Sequence, residues 1–170
     1  MSVRLANAPT YSIPPADPAL GLGAHDIPCI NQEQLNWCWA ACIQMVLSRS
    51  TVTPQCAIVN AGLGLTICCS PGSAAGPSCN KAIPGTGPES IEATLRALGA
   101  PGTYMASALT PKQLLKELSR APVMALYDRG GAAGHVVLVV GATPNPPGNP
   151  MLLINNPGPR TAAVVQAPYD

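Results

Sequence analysis

The most constraining stretch of the chain is residues 30–47, INQEQLNWCWAACIQMVL, where a polar segment gives way to an almost uninterrupted apolar one. An exposed helix carries one apolar stripe, whereas a helix that is apolar nearly all round must be central and buried. The spacing predicts such a helix from about Trp37 to Ser48, with Asn36 as its N-cap and Cys38 in its first turn. A helix start carries N–H groups without intrahelical partners and the positive end of the macrodipole. A thiolate placed there is stabilised and its pKa falls. The same N–H groups can face an anion developing on a substrate carbonyl. Gln32, six residues ahead of Cys38, brings a side-chain NH2 donor that can join them, with Gln34 as a weaker rival. Trp37 and Trp39, the chain's only tryptophans, flank the cysteine. The competing reading makes Cys38 a plain buried thiol in the core.

The remaining composition narrows the function classes. At 170 residues the chain suits one domain, with room for two lobes, and 47% hydrophobic residues are enough for a real core. Only 10% of residues are charged and the net charge is +1, so neither nucleic acid nor an anionic membrane is an expected partner. No apolar run approaches the roughly 18 residues of a membrane helix. The opening MSVRLANAPTYSIPPADP has no apolar core of signal-peptide type. Residues 1–27 read as a proline-rich arm laid over the surface, and 28–170 as the folded domain. His25, in the arm, reads as an exposed loop histidine rather than a catalytic one.

Seven cysteines, at 29, 38, 42, 56, 68, 69 and 79, are many for this length. An odd number leaves one thiol outside any complete set of bridges. Three bridges plus a thiol at Cys38 is the economical reading, and it implies an oxidising destination, secreted or extracytoplasmic. Fifteen pairings of six cysteines are possible, and sequence does not choose among them. A Cys38–Cys42 bridge within one helical turn is unfavourable on geometry. Zinc is the rival use for these residues, but the spacing lacks paired CxxC motifs and adjacent Cys68-Cys69 suit one tetrahedral ion poorly.

Downstream, residues 50–87 read as a cross-linked loop with a short helix near Cys56–Val59. Pro88 opens a helix to Leu98, with Gly99 beyond its end. Thr110, Pro111 and Gln113 form the N-cap, first position and capping-box position of another helix, ending before Pro122. Strands are then expected at 123–127, 135–142, 151–155 and 162–166, joined as an antiparallel meander. The fold class is therefore α+β, with an N-terminal helical lobe facing a C-terminal sheet.

His135 begins the second strand, directly after the glycine-rich segment 128–134. A rigid strand end beside a loop is a suitable seat for a general base. If the next strand runs antiparallel to it, Asn155-Asn156 comes alongside, and one amide oxygen there can orient the imidazole. Strand alternation allows only one of the two to do so.

Taken together, Gln32-x5-Cys38-Trp-Ala-Ala, Gly134-His-Val-Val-x-Val-x-Gly141 and Ile154-Asn-Asn-Pro157 resemble papain-like cysteine peptidases, in particular compact bacterial members that include secreted effector proteases. The resemblance spans roughly residues 28–160 and is most specific in the Trp-Cys-Trp-Ala-Ala helix. It implies Cys38 as nucleophile, His135 as base then acid, Asn156 as the orienting third member and Gln32 in the oxyanion hole. It also implies hydrolysis of peptide bonds in a protein or peptide substrate through a thioester, by a monomer needing no metal or organic cofactor. Two alternatives stand beside this. One is an amidase or isopeptidase acting on cell wall or cross-linked protein with the same residues. The other is a disulfide-stapled binding domain without activity.

Overall fold

A computed structural model describes residues 24–128, 134–143, 150–158 and 163–169. The arm's residues 1–23, the segment 129–133 and Ala162 lie outside the described residues. Four helices precede four strands: α1 Cys38–Leu47, α2 Gln55–Leu63, α3 Ile91–Ala97, α4 Pro111–Leu118, β1 Val123–Asp128, β2 Gly134–Thr143, β3 Met151–Asn156 and β4 Ala163–Pro168. The strands form one antiparallel sheet in sequence order, as the short Gly- and Pro-bearing connections require. The fold is α+β.

Local signals explain several boundaries. Thr110 and Gln113 form a complete capping box on α4, with Pro111 in its first turn. α2 ends on Gly64 at φ +63°, a conformation that costs a β-carbon but not glycine. α1 is buried along nearly its whole length because both α2 and β2 pack against it. Gly62 of α2 makes room for the Trp39 indole, since a β-carbon there would stand 2.9 Å from the ring.

The helices do not form one lobe facing the sheet. Val136, Leu138 and Val140 of β2 join the core built on α1. Val137, Val139 and Ala142 join a second core with Leu114 and Leu118 of α4. β2 is thus covered on both faces, and its run GHVVLVVGA has no polar alternation for that reason.

The described part of the arm is a strap. β2 and β3 pair Val139 with Ile154 but Gly141 with Leu153, so Val140 is bulged out of the ladder. Its carbonyl accepts the His25 N–H at 2.7 Å instead. His25 Nε2 donates to Leu118 O at 2.9 Å, joining the end of α4 to the sheet, so this histidine is a half-buried tie rather than an exposed loop residue. Ala24 crosses so closely over Gly141 that a β-carbon there would meet its Cα at 3.0 Å. Gly141→Val is therefore expected to displace the strap and cost about 1–3 kcal/mol. Chemical denaturation together with faster amide exchange at His25 would check this.

Candidate active site

Cys38 is the first residue of α1, and Trp37, not Asn36, occupies the N-cap position without any side-chain cap. Asn36 is drawn away by Asn80. Its N–H donates to Asn80 Oδ1 and its Nδ2 to Asn80 O, both at 2.9 Å. The flanking indoles follow the same path: Trp37 Nε1 donates to Cys79 O and Trp39 Nε1 to Lys81 O, each at 2.9 Å. Residues 79–81 thus form a polar clasp over the start of α1. Buried indole N–H groups need such acceptors, which is why two tryptophans are tolerated here. The clasp is anchored by the Cys68–Cys79 disulfide, and Cys56–Cys69 joins α2 to the same loop.

The segment ahead of Cys38 is braced from inside. Gln55 is fully buried, accepts from Glu33 N at 2.9 Å, and donates to Asn31 O at 2.7 Å and Gln44 Oε1 at 3.0 Å. Gln32 is 5% exposed, and its NH2 donates to Gln34 O at 2.8 Å and Leu35 O at 2.6 Å. Its Oε1 is buried without a hydrogen-bond partner among the described residues. The two facing carbonyls can only accept, which fixes the amide orientation. In this arrangement both Gln32 N–H groups hold the loop, and neither is directed to an oxyanion. Gln34 contributes its carbonyl to this bracing. Gln32→Glu would set a carboxylate against two carbonyl oxygens, and a loss of about 2–4 kcal/mol is expected on thermal unfolding, with Gln32→Met costing less.

At the other side of the site, His135 lies at the start of β2 and Asn156 at the end of β3, as antiparallel pairing dictates. His135 Nε2 and Asn156 Oδ1 are 2.8 Å apart. Asn156 Oδ1 also accepts the Gly158 N–H at 3.2 Å, which identifies that atom as the oxygen. His135 therefore donates through Nε2–H, and Nδ1 is the nitrogen left for proton exchange. Asn155 points to the opposite face, where its Nδ2 donates to Ile27 O at 2.8 Å. The structure pairs the histidine with Asn156 and uses Asn155 as a structural tie. Gln32 closes the site by its backbone, its N–H donating to Pro157 O at 2.9 Å.

Cys38 lies in the α1-side core at 7% exposure. Cys42, one turn along α1, directs Sγ at Val136 O, 3.6 Å away and next in chain to His135. Burial pushes the Cys42 thiol well above its usual pKa, and neighbouring Cys38 and Cys29 add to that rise. Cys29 directs Sγ at Asn156 O, also at 3.6 Å. Cys38 thus belongs to a group of three thiols that touches both strand ends carrying His135 and Asn156. The three-bridge expectation is corrected: two disulfides form, and Cys29, Cys38 and Cys42 keep thiols. Cys29 and Cys42 are each held against a strand carbonyl, and Cys42 is wholly buried in the core around α1.

The sequence assigns Cys29 to a bridge that does not form, and gives no signal for the role of Asn80 or for the partners of Gln55. Gln55 carried a signal, a lone glutamine opening an apolar helix, but its three partners are set by tertiary packing. Cys42 gives a pH prediction. The folded chain holds its proton, so above the ordinary thiol pKa of about 8.5 the unfolded chain binds fewer protons. Stability is fully present below that pH and is expected to fall above it, by at most about 1.4 kcal/mol per pH unit. Cys42→Ala should flatten that slope in denaturation series run between neutral and alkaline pH.

Searches of family models, of curated proteins and of solved structures gave no match to this chain. Among the described residues no helix is long and apolar enough to cross a membrane.

Proposed function

We propose that the protein is a cysteine peptidase, hydrolysing peptide bonds with Cys38, His135 and Asn156 through a thioester. The observation that carries this reading is the 2.8 Å contact of His135 Nε2 with Asn156 Oδ1, in a chain whose Cys38 opens a buried helix that reaches Val136, the neighbour of His135, through Cys42. That contact leaves Nδ1 as the base. It takes the Cys38 proton, giving a thiolate favoured by the start of α1. The thiolate attacks the substrate carbonyl, and the oxyanion is met by the Cys38 N–H. Gln32 joins as a second donor only by releasing one loop carbonyl when substrate arrives. The imidazolium then gives its proton to the leaving amine, and water, deprotonated by His135, hydrolyses the thioester. The two disulfides fit a chain that works outside the cytoplasm, in an oxidising compartment.

The test is the pH dependence of iodoacetamide labelling at Cys38, read by peptide mass mapping, with His135→Ala alongside. Labelling well below the ordinary thiol range, shifted upward in the variant, is expected. A Cys38 indifferent to His135 would overturn the reading. Turnover of peptides against cross-linked or amide substrates then separates peptidase from isopeptidase.

A further inference from the structure

Three thiols at one site exceed what a single-nucleophile mechanism uses, and Cys29 is the unexplained one. Its Sγ touches the backbone carbonyl of Asn156, the residue whose side chain holds His135. Cys42 stands against Val136 on the neighbouring strand. Cys29 is half-buried, Cys38 is 7% exposed and Cys42 is wholly buried. Among the described residues no group of three His, Cys, Asp or Glu is arranged to hold a metal ion.

We propose that Cys29 is the resolving thiol of an oxidation site at Cys38, closing a reversible Cys29–Cys38 disulfide when the protein meets a peroxide. The inference rests on the reading of Cys38 as a reactive thiolate. The Cys38 thiolate attacks one peroxide oxygen, the O–O bond breaks, and the departing hydroxide takes a proton to become water. Cys38 is then a sulfenic acid. The Cys29 thiolate attacks that sulfur. The S–S bond forms, and the sulfenic hydroxyl leaves with the Cys29 proton as a second water. Two thiols are oxidised and one peroxide is reduced to two waters.

Cys38 is the oxidised partner because it sits at the helix start and is 7% exposed, whereas Cys42 is wholly buried and shut off from any oxidant. A Cys38–Cys42 bridge would have to form within one regular helical turn, against the geometry a disulfide requires. The bridge withdraws the nucleophile but protects it from the sulfinic and sulfonic acids that no ordinary thiol reverses.

The test uses the full chain treated with hydrogen peroxide, then blocked with iodoacetamide and digested without reduction. Cleavage after Glu33 separates Cys29 from the peptide holding Cys38 and Cys42. A cross-link between the two peptides is expected in the parent and in Cys42→Ala, and is lost in Cys38→Ala and Cys29→Ala. In Cys29→Ala the Cys38 sulfenic acid should persist, be trapped by dimedone, and progress to sulfinic acid. A trappable sulfenic acid at Cys38 with no cross-link to Cys29 would overturn this inference alone. A cross-link that survives Cys38→Ala would do the same, since Cys42 would then be its partner. No oxidation at Cys38 under any condition would overturn the peptidase reading as well. Should Cys29→Ala unfold, Cys29→Ser, checked by circular dichroism, takes its place.

Discussion

Cys38→Ala is expected to abolish peptide hydrolysis, and His135→Ala to lower kcat by about 10²–10⁴-fold. The two losses have different shapes. Without the sulfur no thioester forms, and no other thiol can substitute: Cys42 is buried and holds its proton, and Cys29 faces a backbone carbonyl. Without the imidazole the thiol remains but loses the base that takes its proton, so residual activity should climb toward alkaline pH. Asn156→Ala should fall between them. It removes the oxygen that fixes the ring through Nε2 while leaving both reacting groups in place. Initial rates across pH on one peptide substrate separate the three. A residual pH profile in His135→Ala and Asn156→Ala that matches the parent's would mean that these residues do not act together.

The second large effect concerns stability. Replacing Cys68 and Cys79 by alanine opens a short loop, and the chain-entropy account gives a loss of about 2–3 kcal/mol. The consequence reaches the site, because the freed Cys79–Lys81 segment holds both indoles and Asn36. Loss of that clasp leaves buried Trp37 and Trp39 with N–H groups lacking acceptors, an added cost of about 1–3 kcal/mol for each bond lost. Faster exchange of the two indole protons and weaker low-pH labelling of Cys38 should accompany the drop in unfolding midpoint. Replacing Cys56 and Cys69 is the control. It opens a loop of similar size, but neither residue belongs to the clasp, so stability should fall with smaller change at Cys38.

Much of this arrangement was legible from local rules, and the failures were non-local. Thr110, Pro111 and Gln113 announce α4 because a capping box is satisfied within four residues. The four strands and their meander follow from β-branched runs separated by Gly and Pro. Strand alternation shows that only one of Asn155 and Asn156 can face His135, but which one depends on register against β2 and on Ile27, 128 residues away from Asn155 in sequence. Asn36 has the right chemistry for an N-cap, yet Asn80 offers it two hydrogen bonds where a cap offers one. Cysteine counting could not give the pairings, since sulfur proximity is a tertiary fact. Nor does sequence show that α4 covers the far face of the sheet, because an all-apolar strand declares burial but not what buries it.

The sheet's last strands reach back to the chain's early residues at three adjoining points: Ile27 O with Asn155, Cys29 with Asn156, and the Gln32 N–H with Pro157. During synthesis, Cys38 and its helix leave the ribosome well before residues 155–157 exist. Until those residues emerge, neither the loop before Cys38 nor His135 has its final partner. Contacts of such long sequence separation form late and slowly. A nascent chain therefore carries the Cys38 helix before the contacts that complete its surroundings, and the corner that joins Cys29, Gln32 and Asn155 to the early chain is the last part of the fold to close.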